Sequence, residues 1–305
     1  MQRKIYALFL SIILLFSIDG SAQNNFLESR SALITRSMFR EPSYISALGG
    51  AGNIEPLIFE ADIIPYYSLS MGNNHRWALG ISPRIILRMY NEYSYPILTP
   101  SYLPRILFVY QIVDNPAKSD LFTYFSWFHH SNGQDGSFYN AASVTVNTRS
   151  GSFSTNWIDG GVFFSRSGPS RTDFLKLNAQ YCYSQNNELD GIYGRLRFFA
   201  DLQSEWDISG IETMSGAPDV HKNKIVISNS FRFGVITANP GYTKTFEKKR
   251  FIFRYTISIK PRNLKDISIF AQYYYGEDYY NIYFNRTLSL LRFGLIARSS
   301  IFNLW

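Results

Sequence analysis

The chain has 305 residues, a formal net charge of +7 and a single cysteine, Cys182. Its basic residues are spread along the chain and form no cluster, which argues against a nucleic-acid-binding surface. One cysteine excludes both an internal disulfide and a cysteine-based metal site. Aromatic residues make up 17% of the chain, with 22 Tyr and 25 Phe, and their spacing is the first guide to the fold.

The N-terminus has the pattern of an export signal. Two basic residues precede an apolar run over residues 5–18, and three small residues stand directly before Gln23, as at signal-peptide cleavage sites. We therefore predict a signal peptide over residues 1–22, with an N-terminal membrane anchor as the alternative. Residues 23–305 are predicted to form one exported domain that opens with a short periplasmic segment. No later stretch offers the roughly 18 apolar residues that a membrane helix needs.

Segments of about ten residues then alternate between apolar and polar side chains. One segment has an apolar face, and its polar positions carry arginine and lysine; the apolar face is Phe251, Phe253, Tyr255, Ile257 and Ile259, and the polar face is Arg254, Thr256, Ser258 and Lys260. Alternation of this length, interrupted by turns, is typical of transmembrane β-barrels. A soluble β-sandwich is the alternative, but charges in mid-strand suit a wet or salt-bridged barrel interior.

We accordingly predict an all-β fold, a transmembrane antiparallel up-and-down β-barrel of about 12 strands in the bacterial outer membrane. The terminal aromatic Trp305 resembles the last residue of such barrels. The candidate strands are 43–50, 62–71, 76–88, 102–112, 121–131, 138–149, 156–165, 173–183, 191–202, 224–237, 250–260, 267–276 and 288–298. Single-chain bacterial barrels have even strand numbers, so one of these segments is misassigned, and we suspect the region after Asp201.

A possible base and a possible nucleophile stand at the end of the strand predicted over 121–131. Residues at i and i+2 of a strand share a face, so His129 and Ser131 lie side by side with Trp127. A polar pair on an apolar face is unusual in a core and reasonable at a lipid boundary. A metal site made by His129 and His130 is the alternative, but neighbouring strand residues point to opposite faces.

A serine–histidine pair needs a third group that orients the imidazole. The glycine-containing segment Asn132–Ser137 indicates a hairpin turn, and a turn centred between Gln134 and Asp135 places Asn140 opposite His129. Two other asparagines are less suitable, since Asn147 has the opposite parity and Asn156 lies beyond another turn. We therefore predict Asn140 as the orienting residue and the backbone N–H of Gly133 as an oxyanion donor.

These residues resemble a known family, the outer membrane phospholipases A. His129-His130-Ser131-Asn132-Gly133 and Tyr139-Asn140 are similar to the family's His-x-Ser-Asn-Gly element and aromatic–Asn pair. The resemblance extends to Tyr102-Leu103-Pro104 and to residues 272–287. In this chain the loop after Gly133 is shorter than in the family, and Arg105 stands where family members can carry a glutamine next to the triad asparagine.

The resemblance implies a calcium-dependent phospholipase A1/A2 that hydrolyses acyl esters of phospholipids and lysophospholipids. It implies that Ser131 is the nucleophile, His129 the base and Asn140 the orienting group, and that a Ca²⁺ ion and a reversible homodimer complete the site on the outer wall. The nearest candidate Ca²⁺ ligands are Gln134 through its carbonyl, Asp135 and Ser137. The alternatives are a passive porin or transporter and a structural barrel.

Overall fold

The computed structural model describes residues 41–69, 76–93, 97–113, 119–140, 145–168, 170–208, 225–237, 250–261, 264 and 267–297. They form one antiparallel sheet that closes into a barrel where its first strand pairs with its last. The strands are β1 (Ser43–Ala47), β2 (Ala51–Gly52), β3 (Leu57–Ile63), β4 (Tyr67–Leu69), β5 (Trp77–Tyr90), β6 (Ser101–Val113), β7 (Asp120–Ser131), β8 (Ser154–Ser167), β9 (Arg171–Gln185), β10 (Leu196–Asp207), β11 (Val226–Thr237), β12 (Phe251–Lys260), β13 (Ile267–Glu277) and β14 (Thr287–Ala297).

Two of these strands are short continuations of others. Strand β2 follows β1 along β14, and β4 follows β3 along β5. Counting each broken strand once gives 12, so the predicted transmembrane barrel of about 12 strands is confirmed. Within the described ranges, no helix is both long and apolar enough to cross a bilayer.

The alternation seen in the sequence sorts side chains between the outer wall and the interior. On β12 the apolar Tyr255, Ile257 and Ile259 remain 39%, 37% and 47% exposed, whereas the intervening Thr256 and Ser258 are buried. An apolar outer face with a polar interior suits a barrel whose outer surface contacts lipid. The strand-forming residues of this chain therefore present hydrocarbon to the membrane and hydrogen-bonding groups to the lumen.

The barrel interior is filled by ion pairs and rings. Arg88 bonds Glu60 at 2.7 Å and Asp278 at 2.9 Å, and all three side chains are fully buried. Arg292 also contacts Glu60, whose carboxylate accepts hydrogen bonds from two tyrosines. Pairing of this kind offsets the large cost of removing charges from water. Beside it, an aromatic cluster that includes Phe128, Trp157 and Phe284 closes one end.

The predicted strand over 138–149 is wrong, and it accounts for the odd strand count. Strand β7 pairs directly with β8, from Ser131 opposite Ser154 to Asp120 opposite Ser165. Residues 132–153 connect the two strands, and their described parts, 132–140 and 145–153, make only isolated bridges. In the suspected region after Asp201, β10 and β11 pair along their full lengths, and residues 209–224 lie outside the described residues. The predicted signal peptide and Trp305 lie outside the described residues.

Candidate active site

Strand β7 carries the candidate pair to the outer wall of the barrel. Phe125 and Trp127 are 52% and 36% exposed on this wall, and His129 and Ser131 continue the same row half-buried. The intervening Phe128 and His130 are buried. His130 packs against the ring of Phe153, with centroids 5.0 Å apart, so the two histidines point to opposite faces, as strand geometry requires.

Asn156, and not Asn140, is the partner of His129. The side-chain oxygen of Asn156 lies 2.9 Å from His129 Nδ1, and the two residues face each other across β7 and β8. The His129 tautomer with a proton on Nδ1 donates to this oxygen, which leaves Nε2 free to accept a proton. The prediction that placed Asn140 opposite His129 is therefore wrong.

Asn140 bonds locally within the β7–β8 connection. Its side-chain amide donates to Thr145 Oγ1 at 3.1 Å, and its backbone N–H donates to the Thr145 carbonyl. The predicted turn between Gln134 and Asp135 does not return the chain along β7, because the chain runs on to 153 before it re-enters the sheet. The assumed hairpin turn and the parity of Asn140 led to the wrong residue, because a connection that bonds within itself reproduces strand-like alternation without joining the barrel.

Asn132 fixes the start of the connection next to Ser131. Its side chain is 2% exposed, donates to the Gly151 carbonyl at 2.8 Å and accepts from the Phe153 N–H at 3.0 Å. Gly133 follows with φ of +69°, a conformation that glycine adopts at little cost. The chain therefore turns sharply after Ser131, and Gly133 is exposed beside it.

Aromatic side chains surround the pair on the outer wall. Tyr102 of β6 lies opposite Ser131. On the other side, Trp127 Nε1 donates to the hydroxyl of Tyr183 at 2.6 Å, across the intervening β8. Tyr183 is the extra residue of an irregularity at which Asn156 and Trp157 pair with Ser184 and Cys182. The pair thus lies in a wall of rings with polar ends, as at a membrane–water boundary.

The candidate calcium ligands are close in sequence to the pair but few in number. Asp135 supplies one carboxylate, Gln134 a carbonyl and Ser137 a hydroxyl, all oxygen donors of the kind that Ca²⁺ prefers. Three donors fall short of the six to eight that Ca²⁺ takes. Among the residues described, no cluster of three or more histidine, cysteine or acidic side chains forms a metal site. The donors fit the ion in kind, and a Ca²⁺ ion bound here would need further ligands from outside this loop.

Arg105 does not contact either asparagine. Its guanidinium lies inside the barrel, 5.0 Å from the ring centroid of Phe128, because Tyr102 and Arg105 project to opposite faces of β6. Sequence reasoning missed the hydrogen bond of Asn156 to His129 and the bonds by which Asn132 fixes the connection. The sequence did contain a signal for Asn156, since the strand predicted over 156–165 places it on the outward face.

Comparisons with known proteins find similarity in fold only. No protein-family model matches the chain, and no curated protein matches its sequence. Among solved structures, outer membrane phospholipase A from Escherichia coli superposes with a TM-score of 0.57 at 13% identity, over 92% of this chain and 100% of that one. An active-site mutant of that enzyme gives 0.56 at 13% identity, over 94% and 96%.

A third structure is a dimer of outer membrane phospholipase from Salmonella typhi with bound calcium. It gives a TM-score of 0.54 at 14% identity, over 85% of this chain and 90% of that one. The barrel has the fold of these phospholipases. At such identities the likeness concerns the arrangement of strands, and the chemistry must be argued from the side chains of this chain.

Proposed function

We propose that this barrel is an outer-membrane phospholipase that hydrolyses acyl esters of phospholipids and lysophospholipids. The observation that carries the proposal is the His129–Asn156 hydrogen bond of 2.9 Å, on the outer wall and two residues before Ser131. A histidine held in this way next to a serine is the arrangement of a serine hydrolase. Its position on the lipid-facing wall favours a membrane lipid as substrate over a soluble ester.

The residues of this chain supply the acyl-transfer steps. His129 Nε2 takes the Ser131 proton as Ser131 Oγ attacks the ester carbonyl, and the same proton then goes to the departing alcohol. In the second half of the reaction, His129 deprotonates a water molecule, which attacks the acyl ester on Ser131 and releases the fatty acid. Asn156 keeps the ring in the required tautomer, but as a neutral amide it stabilises the imidazolium less than a carboxylate would.

The oxyanion needs donors near Ser131. The backbone N–H of Gly133 is the nearest candidate, because Gly133 is an exposed residue on the turn that follows Ser131. A Ca²⁺ ion held by the Gln134 carbonyl, Asp135 and Ser137 would add positive charge near the developing oxyanion. Its incomplete ligand set in one barrel supports the proposal of a reversible homodimer, in which a second copy or water supplies further oxygens.

The decisive experiment compares Ser131→Ala with Ser289→Ala, a serine on the outer wall of β14 remote from the pair. We expect purified Ser131→Ala barrel to lose calcium-dependent fatty-acid release from mixed micelles, and Ser289→Ala to retain it. A sulfonyl fluoride should label Ser131 in the parent protein and nothing in Ser131→Ala. Heat-modifiable gel mobility should remain unchanged in both variants, since Ser131 fills no core position.

Retained hydrolysis in folded Ser131→Ala would rule out Ser131 as the nucleophile. A parent barrel that releases no fatty acid but conducts ions in planar bilayers would support the porin alternative. A barrel that does neither would support the structural one.

A further inference from the structure

Inside the barrel, across the wall from Ser131, lies a cavity of about 150 Å³. Five arginines line it, namely Arg84, Arg105, Arg197, Arg232 and Arg254. A second cavity of about 70 Å³ adjoins the same region and shares Arg84, Arg232 and Arg254. The larger cavity exceeds the volume that a few waters need, so it accommodates a small solute.

Two of the five arginines, Arg84 and Arg232, form ion pairs with three carboxylates. Glu41, which precedes β1, spans the interior and bonds Arg84 at 2.9 Å and Arg232 at 2.8 Å. Asp62 bonds Arg84 at 2.6 Å, and Asp201 pairs with Arg232, its partner across β10 and β11. Three carboxylates therefore face Arg84 and Arg232, one more than these two arginines need, and this excess offsets one of the two remaining guanidinium charges.

The other acidic side chains that line the larger cavity are paired at its end. Glu277 bonds Arg197 at 2.8 Å. Asp278 bonds Arg88 and Arg286 at 2.9 and 2.6 Å. These carboxylates do not compensate the remaining two arginines.

Among the described residues, no carboxylate lies within ion-pair distance of Arg105 or Arg254. Arg105 rests over the ring of Phe128, and Arg254 lies opposite Arg232 in the β11–β12 register. Like charges placed directly across two strands repel each other, and charges inside proteins are normally paired. The interior thus presents two unpaired guanidinium groups to one solvent-sized space.

We propose that this chamber is a second binding site that takes a small inorganic oxyanion, such as phosphate or sulfate, between Arg105 and Arg254. The guanidinium group is a planar fork of donors that matches two oxygens of such an anion. The chamber lies in the barrel interior, whereas His129 and Ser131 lie on the outer wall. The anion is therefore not the lipid substrate. The proposal does not depend on the barrel being a phospholipase.

The test is calorimetric titration of the folded full-length mature barrel in micelles with sodium sulfate, at constant ionic strength maintained with chloride. We expect saturable binding that weakens about tenfold or more in Arg254→Gln and in Arg105→Gln. The matched control is Arg171→Gln, because Arg171 is 54% exposed and pairs with Asp173 away from the chamber. The affinity of Arg171→Gln for sulfate should equal that of the parent.

The variant Glu41→Gln should strengthen sulfate binding, whereas the arginine variants weaken it. It removes the carboxylate that repels the anion and frees part of Arg84 and Arg232, so sulfate should bind about tenfold more tightly. A purely structural role of Glu41 predicts no such gain. Absence of saturable binding in the parent and in Glu41→Gln overturns the proposal, as does unchanged affinity in folded Arg254→Gln and Arg105→Gln. If an arginine variant does not fold, the comparison of the parent with Glu41→Gln still decides.

Discussion

The proposed chemistry depends on one contact between neighbouring strands, the 2.9 Å hydrogen bond from His129 to Asn156. We expect Asn156→Ala to lower kcat by about tenfold or more, because the ring loses its preferred tautomer and orientation. His129→Ala should lose more, within the roughly 10²- to 10⁴-fold that a general base contributes. Asn140→Ala is the matched control, since Asn140 bonds Thr145 and not His129.

Initial rates of fatty-acid release, measured on barrels that show the folded gel band, check this prediction. A silent Asn156→Ala together with a damaging Asn140→Ala would contradict the assignment of the third residue.

Substitution of Gly133 tests whether this glycine is needed only for the backbone conformation or also for catalysis. Its φ of +69° costs a residue with a Cβ about 1 kcal/mol, although an added Cβ would lie 3.5 Å from Tyr102, an ordinary contact. Gly191 has φ of +81° and open space around it, on a turn between β9 and β10. We expect Gly133→Ala and Gly191→Ala to lose similar stability in denaturant titrations, and Gly133→Ala alone to lose activity. Equal activity of the two variants would argue against an oxyanion role for Gly133.

At the scale of elements, the β7–β8 connection shows how a loop can be mistaken for a strand. Residues 138–149 alternate as a strand does, but Asn140 bonds Thr145, and Asn147 bonds Ser137 and Ser150, all within the connection. The strand after it, β8, then brings Asn156 to the position that the turn argument had given to Asn140.

An ion pair joins the β2–β3 connection to the residue before β14, and we call this contact the junction. Arg286 bonds both oxygens of Glu55, one of them at 2.7 Å. Burial disfavours the charged form of Glu55, but the hydrogen bond and the charge of Arg286 outweigh it, and the pKa of Glu55 falls below its usual value. A lowered carboxylate pKa stabilises the fold above the unfolded pKa, and this stabilisation is lost as the pH falls through the folded pKa.

We therefore expect parent and Glu55→Gln barrels to differ in denaturant midpoint at pH 7 and to converge as the pH drops below about 4. Glu188→Gln, at an exposed position of the turn Asn187–Leu189, is the control for carboxylate loss in general. A difference between parent and Glu55→Gln that does not change between pH 7 and pH 3 would contradict the role of the junction.

At the scale of the whole molecule, calcium and association should be linked. One barrel offers few loop oxygens to Ca²⁺, so a second barrel that completes the ligand set would bind the ion more tightly, and the ion would in turn favour the dimer. We expect cross-linking yield and hydrolysis to rise together across a calcium titration. A chelator should reverse both without unfolding the barrel, whose stability comes from its closed hydrogen-bonded sheet.

The chelator-treated barrel should keep its folded gel mobility, which serves as the control for unfolding. Full activity in excess chelator would exclude the calcium requirement. Calcium-activated barrels that never cross-link would exclude the dimer.

The sequence alone determined the barrel, because lipid outside and polar groups inside impose a period of two on every strand, as in Phe251 to Lys260. It also placed His129 and Ser131 on one face, since that relation is local to one strand. The partner of His129 depended on the register between two strands, and register depends on how the intervening residues 132–153 fold. Only the tertiary structure therefore selected Asn156. It alone brought Glu41 and the arginines of distant strands into one chamber, because such contacts have no local periodicity.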